Sequence, residues 1–275
     1  MLCKIIKKIK KDDKALIAVI RLNGVIGKVS FNNGMSLDSL KYLDKIAKIK
    51  NLKALAVIIN SPGGSPVQSE LIAKKISNIA KSYKKKLPIF TFCEDVAASG
   101  GYWLACMGEE IFASRSSIIG SVGVISQGFG FVEAIEKIGI ERRVFSQGKN
   151  KSVLDPFSKT KDDDIAIIHD IQKDIHNAFI EFIKSSRKDR LKSSDEELFN
   201  GRFWSGSKAV KLGLIDGIGC YEEVLKEKYG ENCIFKEISS PKSFLQKKIS
   251  AMLGNIYNDV SYKIKESIIS TRYKL

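Results

Sequence analysis

A chain of 275 residues, 44% hydrophobic and 28% charged, is long enough for one large core or two modest ones and has a globular composition. No apolar run approaches the roughly 18 to 20 residues that cross a bilayer, and the start lacks the form of a secretory signal, so a cytoplasmic protein is expected. The formal charge of +15 is concentrated in two lysine-rich ends; without an arginine cluster or basic–aromatic stripe, it argues against nucleic acid and for peripheral attraction to anionic lipid heads. Residues 1–14 form a basic extension in which Leu2, Ile5, Ile6 and Ile9 share one helical face. An apolar strand follows at 15–22, and residues 25–31 are a candidate to pair with it. Helical spacing marks 36–50, and the run within 53–60 is a second buried strand. Further elements alternate: a helix at 67–86, strand 88–92, helix 102–107, strand 110–113, strand 121–126, helix 131–138 and strand 142–146.

Alternation of this kind predicts an α/β fold with a mainly parallel sheet. Residues 162–187 are a long amphipathic helix, and 241–275 a basic amphipathic C-terminal helix whose apolar stripe needs a partner. Residues 15–240 are expected to be one domain between these extensions. Five cysteines, scattered and without a Cys-x-x-Cys pair, argue against a disulfide framework or a zinc site. No metal and no cofactor is expected.

The stretch at 93–108 carries the chemistry. Ser99 falls where a strand ends and a helix begins, among Ala97, Ala98, Gly100 and Gly101. Small neighbours permit a sharp turn and a close approach to the hydroxyl, and the free N–H groups of a helix start stabilise negative charge. The competing reading is an ordinary serine N-cap. A serine nucleophile usually borrows a histidine, but His169 and His176 both fall inside the helix at 162–187, about two turns apart. Lysine is the alternative base, provided desolvation or nearby positive charge lowers its usual pKa of about 10.4. Lys151 sits in a glycine loop that opens into an apolar stretch, although composition alone does not choose it over Lys149. At the end of a buried strand, Asn60-Ser-Pro-Gly-Gly-Ser65 offers paired glycines whose amides suit an oxyanion; the competing reading is a Pro-Gly turn.

Five segments in order resemble the signal-peptide peptidase A family of serine–lysine peptidases, on the fold shared with Clp protease and crotonase. They are Asn60-Ser-Pro-Gly-Gly64, Ala98-Ser-Gly-Gly-Tyr102, Gly120-Ser-Val-Gly-Val124, Gly148-Lys-Asn-Lys-Ser152 and the run from Gly201 to Asp216. The resemblance implies a Clp/crotonase-like spiral of strand–helix units, with Ser99 as nucleophile and Lys151 as general base. It also implies Ser121 as the hydroxyl that orients the lysine, and the Gly63, Gly64 and Gly100 amides as the oxyanion hole. The implied reaction is cleavage of short, unstructured, apolar peptides, such as signal-peptide remnants, through an acyl-enzyme, in a homo-oligomer. Two rivals stand beside it. One is an α/β-hydrolase-type esterase using His169 or His176, whose signature wants glycine where Ala97 stands. The other is an inactive membrane-surface scaffold of the same fold.

Overall fold

The computed structural model describes residues 14–27 and 34–240; the basic N-terminal extension and the expected C-terminal helix lie outside them. The chain begins with strand β1 (Leu16–Asn23), a 3-10 helix (Lys41–Lys48), β2 (Leu52–Ser61) and helix α1 (Pro66–Lys81). It continues through β3 (Ile89–Ala98), α2 (Gly100–Ala105), β4 (Glu110–Ala113), β5 (Ile118–Gly120) and α3 (Val132–Lys137). The long α4 (Asp162–Arg187), α5 (Asp195–Leu198), β6 (Phe203–Ser205), α6 (Gly206–Leu212), β7 (Gly217–Ile218), α7 (Tyr221–Tyr229) and β8 (Ile234–Ile238) complete it.

The strands form one mostly parallel sheet in the order β6-β5-β3-β2-β1-β8, with β4 and β7 joined at one side of β3. Among the described strands, only the β5–β6 pair is antiparallel. Strands β1 and β2 read as nearly continuous apolar runs because the sheet is covered on both faces. Ala18, Ile20, Leu22, Val57 and Ile59 face a large core shared with α1, α2 and α4. Their neighbours Ile17, Val19, Ala54, Ala56 and Ile58 face a smaller core closed by Val224 and Leu225 of α7.

Strand β3 is forked. Phe90–Cys93 pairs with β4, whereas Val96–Ala98 pairs with β5. Against β2 the register jumps: Ile59 opposes Cys93, but Ser61 opposes Ala97. The extra residues of β3 bulge outward and are held by the Asn60 side chain, whose Nδ2 donates to Asp95 (2.7 Å) and whose Oδ1 accepts the Val96 N–H (3.3 Å). The bulge delivers the end of β3 to the start of α2.

The structure corrects three expectations. Residues 25–27 pair through Ile26 with Met35 and Gly64, not with β1. The strand expected at 121–126 is instead the three-residue β5 at 118–120, because β3 offers a free edge only alongside Val96–Ala98. No strand forms at 142–146; these residues are exposed and no neighbouring edge among the described residues reaches them.

Candidate active site

Ser99 is the pivot between β3 and α2. Its φ of 51° and ψ of −123° are a combination that glycine adopts readily and serine does not. Holding a serine there costs on the order of 1 to 3 kcal/mol, which the surrounding bonds must supply. The Ser99 N–H donates to the Gly120 carbonyl (2.8 Å), and the Ser99 carbonyl accepts from Tyr102 N (2.9 Å) and Trp103 N (3.0 Å). The side chain is half-buried and caps nothing. Serines at three other helix starts behave differently: Ser65, Ser194 and Ser205 each accept an amide with the hydroxyl. The N-cap reading of Ser99 therefore fails, and its Oγ has no hydrogen-bond partner among the described residues.

The glycine loop lies directly against this serine. A Cβ on Gly63 (φ +105°) would stand 2.8 Å from Ser99 Cβ and 3.0 Å from Gly100 N, so only glycine fits. A Cβ on Gly64 (φ +143°) would stand 2.0 Å from the Ile26 carbonyl oxygen. On the other side, a Cβ on Gly100 would meet Ser69 Oγ at 2.4 Å and lie 3.5 Å from Gly64 N. Gly63 N–H donates to Ser61 Oγ (3.2 Å), whereas the amides of Gly64 and Gly100 have no acceptor among the described residues.

Ser121 stands one residue beyond Gly120, the register partner of Ala98, and so is level with Ser99 at the ends of neighbouring strands. It too has positive φ (54°), is half-buried, and donates its N–H to the Arg202 carbonyl (2.8 Å). Gly120 must be glycine because a Cβ there would strike the Trp204 ring at 2.8 Å. The next residue is tethered as well: Val122 O accepts Gly201 N–H (3.0 Å) and lies 3.1 Å from His176 Nε2.

Lys151 occupies an exposed turn closed by its own N–H to the Gly148 carbonyl (3.1 Å). No hydrogen bond or ion pair among the described residues joins its amine to Ser99 or Ser121, whereas Gly63, Gly64 and Gly100 lie against Ser99 and Ser121 ends the neighbouring strand. The structure does separate the two lysines that composition did not. Lys149 Nζ donates to Asp163 (2.7 Å), a bond that raises its pKa above the ordinary lysine value, while the Lys151 amine has no acid partner among the described residues. His169 is exposed on α4 and His176 is engaged with Val122; neither bonds to Ser99. The described residues contain no cluster of His, Cys, Asp and Glu able to hold a metal. A groove of about 800 Å³ between α1, α2 and α4 is lined by Glu70, Trp103 and Phe182 among others and by none of the expected site residues.

Sequence reasoning gave Ser61, Asn60 and Ile26 no role, although the first two stand inside a motif it singled out. The signal was present as polar side chains at the end of an apolar strand.

Residues 81–232 match the model of peptidase family S49, and the chain belongs to that family. A Brucella abortus protein named Na(+)/H(+) antiporter NhaA is 45% identical over 236 residues, which are 85% of this chain and 32% of that protein. The chloroplastic serine protease SPPA of Arabidopsis thaliana is 31% identical over 211 residues, covering 74% of this chain and 30% of its own length. The chain thus spans about a third of the length of these relatives. Among solved structures, a lysine-to-alanine mutant of the 1510-N membrane-bound stomatin-specific protease, in complex with a substrate peptide, matches with a TM-score of 0.51 and 18% identity. The match covers 87% of this chain and 98% of that one and establishes a shared fold.

Proposed function

We propose that the chain is a serine endopeptidase in which Ser99 is the nucleophile and Lys151 the general base, on a Clp/crotonase-like spiral. The observation that carries this reading is Ser99 itself: a serine held in a glycine-like conformation, at a helix start, with a hydroxyl that caps nothing. In the first half-reaction, Ser99 Oγ attacks the substrate carbonyl carbon and its proton passes to the neutral Lys151 amine. The carbonyl oxygen becomes an anion and is received by free backbone amides of the glycine loop and α2. Collapse of the tetrahedral intermediate breaks the C–N bond, and the lysine ammonium returns the proton to the departing amine. Water, deprotonated by the same lysine, then attacks the Ser99 ester; the C–O bond to Ser99 breaks, the lysine ammonium returns the proton to Ser99 Oγ, and the acid product leaves. Ser121, level with Ser99, orients the lysine.

The base must be brought in. Residues 123–161 expose Ile125, Phe129, Ile138 and Phe145, an apolar surface that association of copies would cover. Closing that surface is the step that seats Lys151 beside Ser99 and takes its amine out of water. The substrates are short, unstructured peptides with apolar side chains, such as signal-peptide remnants, in keeping with the name of an Enterococcus faecium relative, putative signal peptide peptidase SppA. The basic termini give peripheral attraction to an anionic membrane, and no helix among the described residues is long and apolar enough to cross one.

The test is mass spectrometry of peptide mixtures cleaved by the wild type but not by Ser99→Ala. Lys151→Ala is expected to lower turnover at least about 100-fold, in line with losing a general base. Cleavage that survives Ser99→Ala overturns the reading. An effect of His169→Ala on the reaction would revive the histidine-dependent hydrolase.

A further inference from the structure

We propose that the buried Ser61 hydroxyl is a positioning group of the glycine loop: it commits the Gly63 amide and fixes the peptide before the one that carries the Gly64 amide, so that the developing anion is met by the amides of Gly64 and Gly100. This inference rests on Ser99 being the nucleophile.

Ser61 is fully buried at the last position of β2, and its Oγ accepts the Gly63 N–H at 3.2 Å. The next peptide is fixed from the opposite side. The Ile26 N–H donates to the Gly63 carbonyl (2.8 Å), and the Ser65 N–H donates to the Ile26 carbonyl (2.8 Å). A trans peptide is planar, with its N–H directed opposite to its C=O. Binding the Gly63 oxygen to Ile26 therefore turns the Gly64 N–H away from Ile26. That amide nitrogen lies 3.5 Å from the position a Cβ would take on Gly100, beside the second free amide.

Two consecutive glycines with φ of +105° and +143° have wide rotational freedom, and a donor that swings loses most of its value to a transition state. The Ser61 hydroxyl on one peptide and the Ile26 amide on the next remove that freedom. Ser61 also packs, since a Cβ on Gly101 would stand 3.2 Å from Ser61 Cβ. Packing and positioning separate cleanly in Ser61→Ala, which keeps Cβ and removes only the acceptor.

The experiment compares Ser61→Ala, Ser61→Thr and wild type in steady-state peptide cleavage and in binding of a peptide aldehyde, whose Ser99 adduct carries the oxygen in the oxyanion position. Ser61→Ala is expected to lower kcat about 10- to 100-fold with KM within about twofold, and to weaken the aldehyde by a similar factor. Binding of an uncleaved peptide should be equal in Ser99→Ala and in Ser61→Ala/Ser99→Ala. Ser61→Thr, which restores the acceptor, should recover most of the rate. If Ser61→Ala does not fold, Ser61→Cys keeps the volume and weakens the acceptor; a reduced kcat at unchanged KM supports the proposal and a wild-type kcat overturns it. A wild-type kcat in Ser61→Ala, or a loss that falls on KM, overturns it while leaving the peptidase reading intact. Absence of any Ser99-dependent cleavage in the wild type overturns the peptidase reading, and this inference with it.

Discussion

At the scale of single residues, the site depends on backbone that has no room for side chains. Gly63 illustrates how two effects separate. Gly63→Ala meets both an unfavourable φ and a 2.8 Å clash with Ser99 Cβ, whereas Gly230→Ala meets a similar φ (+96°) with nothing within 4 Å. Gly230→Ala is expected to cost about 1 kcal/mol of stability and leave cleavage unchanged, so it measures the backbone penalty alone. Gly63→Ala should abolish detectable cleavage beyond that penalty, because Ser99 must move. Thermal unfolding and peptide-cleavage rates on the pair provide the check. The same local chemistry made this part of the site legible beforehand. Small residues around Ser99 and paired glycines after an apolar strand announce a close approach whatever the fold. The partition among the three amides was not legible, because it depends on Ile26, which reaches Gly63 only through the folded chain.

Between elements, the anchoring of α2 relies on a buried ionic cluster. Arg187, at the end of α4 and fully buried, donates through Nη1 and Nη2 to Asp216 (2.7 and 3.0 Å) and through Nε to the Gly213 carbonyl (3.0 Å). Asp216 also accepts from Arg190 and from the Ile111 N–H, and Tyr102 of α2 donates to the adjacent Leu214 carbonyl (2.7 Å). Burial works to raise the Asp216 carboxyl, but the bonds from Arg187 and the Ile111 amide outweigh it and hold the pKa below the usual carboxylate value. A carboxyl lowered on folding stabilises the protein fully above its unfolded pKa, and that contribution is lost as pH falls through the lower folded value. Arg187→Met leaves the carboxylate with Arg190 and the Ile111 amide and is expected to cost about 3 kcal/mol at neutral pH. The deficit should shrink in acid, which urea denaturation at neutral and acidic pH would measure. The helix carrying Arg187 was legible from its amphipathic periodicity, and its bounds match the expectation. The strand at 118–120 was misplaced because its position is dictated by the fork in β3, a long-range pairing that no local pattern records.

For the whole molecule, the unfinished part is the arm between β5 and α4. Phe145 is 94% exposed, and Ile125, Phe129 and Ile138 are exposed beside it in sequence. These exposed apolar side chains are the association surface proposed above, and the lysine proposed as base rides on the same arm. Phe145→Asp is expected to weaken self-association at least about tenfold and to lower cleavage in parallel. Sedimentation velocity together with rates measured over a range of protein concentration would show both. Lysine-bearing glycine loops are recognisable in a sequence; what they close upon is a property of the assembly.

The fork in β3 divides responsibility for the reaction between two panels of the protein. Ser99, the proposed nucleophile, follows the panel made by the tail of β3 with β5 and β6, whereas the glycine loop proposed to receive the anion follows the panel of β1 and β2. Asn60, bonded across the bulge to Asp95 and Val96, rivets one panel to the other. Alignment of the proposed chemistry is thus a tolerance set at a seam, and a disturbance at β6 reaches Ser99 through Trp204 and Gly120 without touching the Gly63–Gly64 peptide.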